Sequence, residues 1–112
     1  MIKIISLIAI LAMCSVTNVI AQTYSQDTGT IKRLYASQSG AVAILLDGGF
    51  INGNADGQCP TNKGWAGNHA PDPFMKSVLL AAKTSRQKVT VTLQGCAPGG
   101  GWFKITDVYL ND

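Results

Sequence analysis

Hydrophobic positions recur along the chain with several different periods, and each period predicts a different element. From Ile4 to Met13 the apolar run is almost unbroken; it follows Met1-Ile2-Lys3 and gives way to more polar residues ending Val19-Ile20-Ala21. A short charged start, an apolar stretch and a small-residue end are the layout of a secretory signal peptide. A membrane span needs about 20 apolar residues, and Ser15, Thr17 and Asn18 interrupt this run before that length. Cleavage is expected after Ala21, which divides the chain into a leader over 1–21 and one domain over 22–112, with a secreted or periplasmic product and no membrane span. Leu11-Ala12-Met13-Cys14 offers lipidation at Cys14 as an alternative, although such a processing box wants a small residue where Met13 stands.

Beyond the leader the pattern shortens. Residues 30–36 carry Ile31, Leu34 and Tyr35, and after Ser39-Gly40 the run 41–46 is apolar throughout; these predict a strand, a turn and a more buried strand. Asp47-Gly48-Gly49 is a turn signal, and Phe50-Ile51 reads as the start of a short third strand. Residues 52–72 hold Gly53, Gly57, Pro60, Gly64, Gly67 and Pro71 with no apolar period, which predicts a long loop. A helix starts after it, with Asp72 placed to cap free amides and Pro73 suited to the first helical position. On a helical wheel Phe74, Met75, Val78, Leu79, Ala81 and Ala82 fall within roughly 160°, leaving Lys76, Ser77 and Lys83 outside. Leu80 also lies outside; an isolated exposed Leu is ordinary, and a second helix face that meets a neighbouring subunit is the alternative. Residues 88–94 alternate cleanly, with Val89, Val91 and Leu93 on one face and Thr90 and Thr92 on the other. The Gly-rich stretch 95–101 is a loop, and 102–110 is a last strand. Its parity slips between Phe103/Ile105 and Val108/Leu110, which predicts a bulge near Thr106-Asp107.

The expected order is β-β-β-α-β-β. Five strands and one helix cannot cover both sides of an open sheet, so the economical fold is mainly β: a small five-stranded OB-fold-like barrel with the helix at one end. The remaining 91 residues sit near the lower limit of self-sufficient size. Cys59 and Cys96 are the two cysteines left after the leader, and in an exported domain an even pair reads as a disulfide. Closing the 38-residue loop from Cys59 to Cys96 contributes about 4 kcal/mol by chain entropy. Two buried free thiols are the alternative.

Charge narrows the picture only slightly. Lys3 leaves with the leader, so eight cations face six acids in the domain, a balance of +2, and the acids are all Asp. The cations at Lys32, Arg33, Lys83, Arg86 and Lys88 are scattered, whereas a nucleic-acid binder carries a denser basic stripe. Residues 52–58 match half a calcium loop, but Lys63 stands where the bidentate Glu belongs, and a Gly/Asn turn explains the segment as well. His69, the single histidine, has no partners for a zinc set and no marked Ser for a triad. Asp47, Asp56 and Asp107 each have a plainer role in a turn or bulge than in glycosidase chemistry. We therefore expect no enzyme, no cofactor and no metal site. Trp65 and Trp102 stand beside Gly-rich loops with Asn62, Asn68, His69 and Asp72 nearby. Flat apolar rings with polar neighbours suit a sugar. The plainer alternative is that each Trp covers one end of a small core.

Taken together, Gly29-Thr30-Ile31, Cys59 followed by Trp65, the helix leading into Gln87-Lys88-Val89-Thr90-Val91, and Gly95-Cys96 before an aromatic last strand resemble the B subunits of bacterial AB-type toxins, in particular those like the subtilase cytotoxin B subunit. The resemblance implies an OB-fold that assembles as a homo-oligomer, a pentameric ring, and recognises cell-surface glycans, with a toxin A subunit as a possible partner. It places Lys76, Leu80 and Lys83 at the ring axis and transfers no sugar-contacting residue. The expected ligand site, from the residues themselves, is Trp65, Asn68, His69, Asp72 and Trp102. A small exported inhibitor or protein-binding domain using the same loops is the alternative function.

Overall fold

In the computed structural model, which describes residues 23–111, the first strand β1 (Ser25–Ala36) is twelve residues long. The expected leader, the Ala21 cleavage position and Cys14 lie outside the described residues. β1 starts five residues before the expected position because its first inward-facing side chains are Ser25 and Asp27 rather than apolar ones. Its first half pairs with β4 (Lys88–Cys96) from Ser25↔Leu93 to Thr30↔Lys88, and its second half pairs with β2 (Val42–Leu46). Lys32 is the extra residue between Ile31↔Leu46 and Arg33↔Leu45. That bulge lets Lys32 and Arg33, both exposed, leave the inward side in succession.

Phe50 and Ile51 are not a third strand. Phe50 is buried and Ile51 exposed, the in-out alternation of a strand, but the chain there enters a short helix, α1 (Ile51–Ala55). α1 has no local side-chain cap. Asp27 supplies it from β1, accepting from Asn52 N with Oδ1 and from Gly53 N with Oδ2, both at 2.9 Å. The half calcium loop is thus a helical turn with side-chain oxygens already engaged within the protein: Asp56 accepts from the buried Ser25 Oγ, and at the surface Asn54 Oδ1 accepts from Asn62 Nδ2 at 3.0 Å. Gln58 extends the same network, donating to Ser25 Oγ and accepting from Gly95 N. Among the described residues, no buried side-chain nitrogen or oxygen lacks a hydrogen-bond partner.

The expected loop over 52–72 also contains the true third strand, β3 (Trp65–Asn68), too short for any period to show. β3 runs antiparallel to β2 and parallel to β5 (Trp102–Leu110), which pairs in turn with β4. The sheet closes in the order β1-β2-β3-β5-β4 and back to β1, so the OB-fold-like barrel is present. The bulge expected in the last strand is at Thr106, skipped between Thr92↔Asp107 and Leu93↔Ile105. It turns Val108 back toward the core that Phe103 and Ile105 occupy.

The disulfide joins Cys59 to Cys96 with Cα atoms 5.0 Å apart. Cys59 precedes β3 instead of following the third strand, and Cys96 ends β4 instead of lying beyond it. The main helix, α2 (Pro73–Ser85), starts as expected, with Asp72 Oδ1 accepting from Phe74 N at 2.7 Å. Its core face is narrower than the wheel implied: Leu79 and Ala82 are buried and Met75 packs on the core. Phe74 is 69% exposed, and Ala81 also faces out. The helix sits against β1 and β5 along a line through Leu79 and Ala82, so the far edge of the arc misses the barrel. Among the described residues no helix is long and apolar enough to cross a membrane.

Two substitutions test this architecture. Replacing both cysteines by Ser lowers unfolding free energy by about 4 kcal/mol, seen as a lower urea midpoint. A Cβ on buried Gly53 would lie 2.7 Å from Leu93 Cδ1 and 3.1 Å from Phe103 Cε1. Gly53→Ala therefore destabilises by about 1–3 kcal/mol in the same assay.

Candidate functional site

Four aromatic rings gather on the outer face of the barrel where β1, β2, β3 and β5 run side by side. Tyr35 on β1 meets Trp65 on β3 with ring centroids 6.4 Å apart and Trp102 on β5 with centroids 6.0 Å apart, both edge to face. His69, just past β3, stacks on Trp102 at 4.6 Å with planes 7° apart. Arg33 lies over Trp65 with its guanidinium carbon 5.7 Å from the ring centroid, a cation–π contact.

The geometry depends on what lies beneath. β1 and β3 are separated by β2, so their backbones are roughly 9–10 Å apart, and Tyr35 reaches Trp65 only by leaning across the intervening strand. The β2 residue paired with Tyr35 is Ala43, and Ala43 is paired with Gly67 of β3. Ala43 is fully buried although it has the outward parity opposite to Val42 and Ile44. A floor of Ala43 and Gly67 leaves room for the rings above. A Cβ at Gly67 would fall 2.2 Å from the backbone oxygen of Val42 and 2.8 Å from Ala43 Cβ.

Trp65 and Trp102 are register partners in the parallel pair β3–β5. Two glycine-containing loops deliver them: Lys63 N donates to Gly101 O at 2.9 Å, Thr61 Oγ1 to Gly100 O at 2.6 Å, and Ala97 N to Trp102 O at 2.9 Å. The Cys59–Cys96 bond ties the same two loops. Both Trp residues are half-buried and stand outside the core cluster, which Phe50, Phe103, Leu79 and Ile44 fill. They do not cover the two ends of the core separately; they share one surface. His69, Pro98, Gly99, Gly101 and Trp102 line an open groove of about 240 Å³ at its edge.

Of the residues expected at a ligand site, the structure brings Trp65, Trp102 and His69 together. Asn68 and Asp72 serve the framework: Asn68 Nδ2 donates to Ile105 O at 3.0 Å and its Oδ1 accepts from Ala70 N, while Asp72 caps α2. Asn62 likewise donates to Asn54 Oδ1 and to Cys59 O. Tyr35 and Arg33 were not expected there. The signal for them was in β1, where Arg33 and Tyr35 share one parity, but nothing local ties that parity to residues 30 positions away. Elsewhere Tyr24, Gln26, Thr92, Gln94, Asp107 and Tyr109 line a more polar cleft of about 340 Å³ on the β1–β4–β5 face.

The floor makes a test. Gly67→Ala forces backbone apart rather than a flexible side chain, and should cost about 3 kcal/mol, with a shift in tryptophan emission in the folded state as Trp65 and Trp102 move.

Compared with known proteins, the chain matches no family model and no curated sequence.

Proposed function

We propose that the chain is an exported, non-catalytic binding module that recognises cell-surface carbohydrate through the Tyr35, Trp65, Trp102 and His69 surface. The observation that carries this reading is the position of the two tryptophans: half-exposed, outside the core, and held by loops that the disulfide joins. Aromatic faces take up the apolar faces of sugar rings, and Arg33 and His69 supply hydrogen-bond donors at the edge. Rings held by a floor and by each other lose little freedom when a ligand arrives, which favours binding.

The likeness to toxin B subunits extends the proposal to a homo-oligomer, a pentamer in that family, and to an A subunit as partner. What supports self-association is the outer face of α2, where Phe74, Ser77, Leu80, Ala81 and Thr84 are exposed and uncharged. Lys83 is exposed beside this face and Lys76 is half-buried. Tyr, Trp and Arg together are also the composition of protein-binding hot spots, so an exported inhibitor or protein-binding domain is the second reading.

A glycan array probed with the exported chain distinguishes the two. Carbohydrate recognition predicts hits that Trp65→Ala and Trp102→Ala each weaken at least tenfold; no hit across a broad array overturns it. Light scattering on the same material should give a mass several times that of one chain, and Leu80→Lys should reduce it. A strict monomer removes the ring.

A further inference from the structure

Where α2 ends beside the β2 turn, an open cleft of about 380 Å³ is lined by Thr30, Ile31, Lys32, Asp47, Lys83 and Arg86. Three of these six side chains are cationic and one is acidic. Asp47 has one oxygen engaged, since its Oδ2 accepts from Thr30 Oγ1 at 2.9 Å. Among the described residues no salt bridge engages Lys32, Lys83 or Arg86. The cleft therefore carries a surplus of two positive charges on side chains with no partner among the described residues, in a domain whose own surplus is small. We infer that this cleft is a binding site for a tetrahedral oxyanion, a sulfate or phosphate group, borne by an acidic saccharide.

The backbone at Arg86 supports the assignment. Arg86 is the one non-glycine residue among those described with positive φ, at φ 58° and ψ 32°. This left-handed position follows the helix and is where glycine ordinarily stands, because a Cβ there is strained. Its amide donates to Ala82 O to close the helix, a bond any residue could make. An arginine at this position therefore has a conformational cost that its backbone role does not offset, and its side chain lines the cleft. Lys32 arrives by a second irregularity, as the extra residue of the β1 bulge. The same bulge sends Arg33 to the aromatic surface, so the cleft and that surface are reached by consecutive residues. A saccharide is the carrier only if the carbohydrate reading above holds; the oxyanion site itself does not depend on it.

Cations near a helix C-terminus also offset the carbonyl ends of the helix, and that structural role makes the opposite prediction for Arg86. The test measures thermal unfolding and calorimetric binding of three probes: inorganic sulfate, inorganic phosphate and a sulfated heparin tetrasaccharide. On our assignment Arg86→Gly relieves the left-handed strain and raises Tm by about 4 °C, while it weakens probe binding at least tenfold. Lys83→Gln weakens binding similarly with little change in Tm. Binding of the free ions as tight as that of the tetrasaccharide identifies the ion itself as the ligand; tighter tetrasaccharide binding identifies the saccharide as the carrier. If Arg86→Gly lowers Tm, or leaves binding intact, or if no probe binds the wild type, the assignment is overturned. Trp102→Ala separates the two sites: lost array hits with retained oxyanion binding leave this inference standing, and failure of the array alone does not touch it.

Discussion

The carboxylate of Asp27 reaches inward from β1 and accepts from the amides of Asn52 and Gly53 in the first turn of α1, and without that contact a helix of five residues has no side-chain cap to start it. Helix nucleation is unfavourable, and short helices depend on what they pack against. Hydrogen bonds to a buried charged group are among the stronger ones available, about 1.5–3 kcal/mol each. They are the reason a polar side chain can occupy a core-facing position of β1 at all. Around them Ser25, Asp56 and Gln58 complete a network that leaves no buried polar side-chain atom among those described without a partner. The network anchors α1 beside Leu93 and Phe103, at the end of the barrel where β1 begins, β4 ends and β5 starts.

The segment after α1 inherits the position of that helix. Cys59 leaves the helix already beside Cys96, and the covalent bond then fixes the approach to β3 against the loop before β5. Trp65 and Trp102 enter their strands as neighbours for this reason. The aromatic surface is thus a product of tertiary geometry on three levels: a buried carboxylate sets a helix, the helix sets a disulfide, and the disulfide sets two loops. Small residues finish the arrangement, since Ala43 and Gly67 leave the outer side of the sheet thin enough for Tyr35 to cross it.

The pattern of the chain revealed what depends on apolar alternation and little of what depends on polar contacts. β2, β4 and the start of α2 were legible because Val42, Ile44, Val89, Val91 and the Asp72-Pro73 pair carry local signals. The bulge in β5 was legible as a parity slip. The first five residues of β1 were not, because Ser25 and Asp27 occupy inward positions, and α1 was not, because its cap is 25 residues away. Phe50 and Ile51 read as a strand because two β-forming residues follow a turn signal at Asp47-Gly48-Gly49. At the candidate site the two tryptophans stood out by their setting. Tyr35 looked like any half-exposed strand residue until the strand order placed it two strands from Trp65.

β1 is shared between the two halves of the barrel, and this has a kinetic consequence. Its second half pairs with β2 after a short connection, but its first half pairs with β4, from Ser25↔Leu93 onward. As the chain is made from its N-terminus, residues 25–30 have no strand to join until β4 exists. Contacts so distant in sequence slow folding, because the loop entropy must be overcome before they form. The pairing of this half with β4 is therefore the costlier of the two that β1 makes, and until it forms the segment that carries Asp27 is an unpaired edge. A polar stretch is the safer one to leave uncovered for that interval: an apolar edge in its place would invite other chains to pair with it.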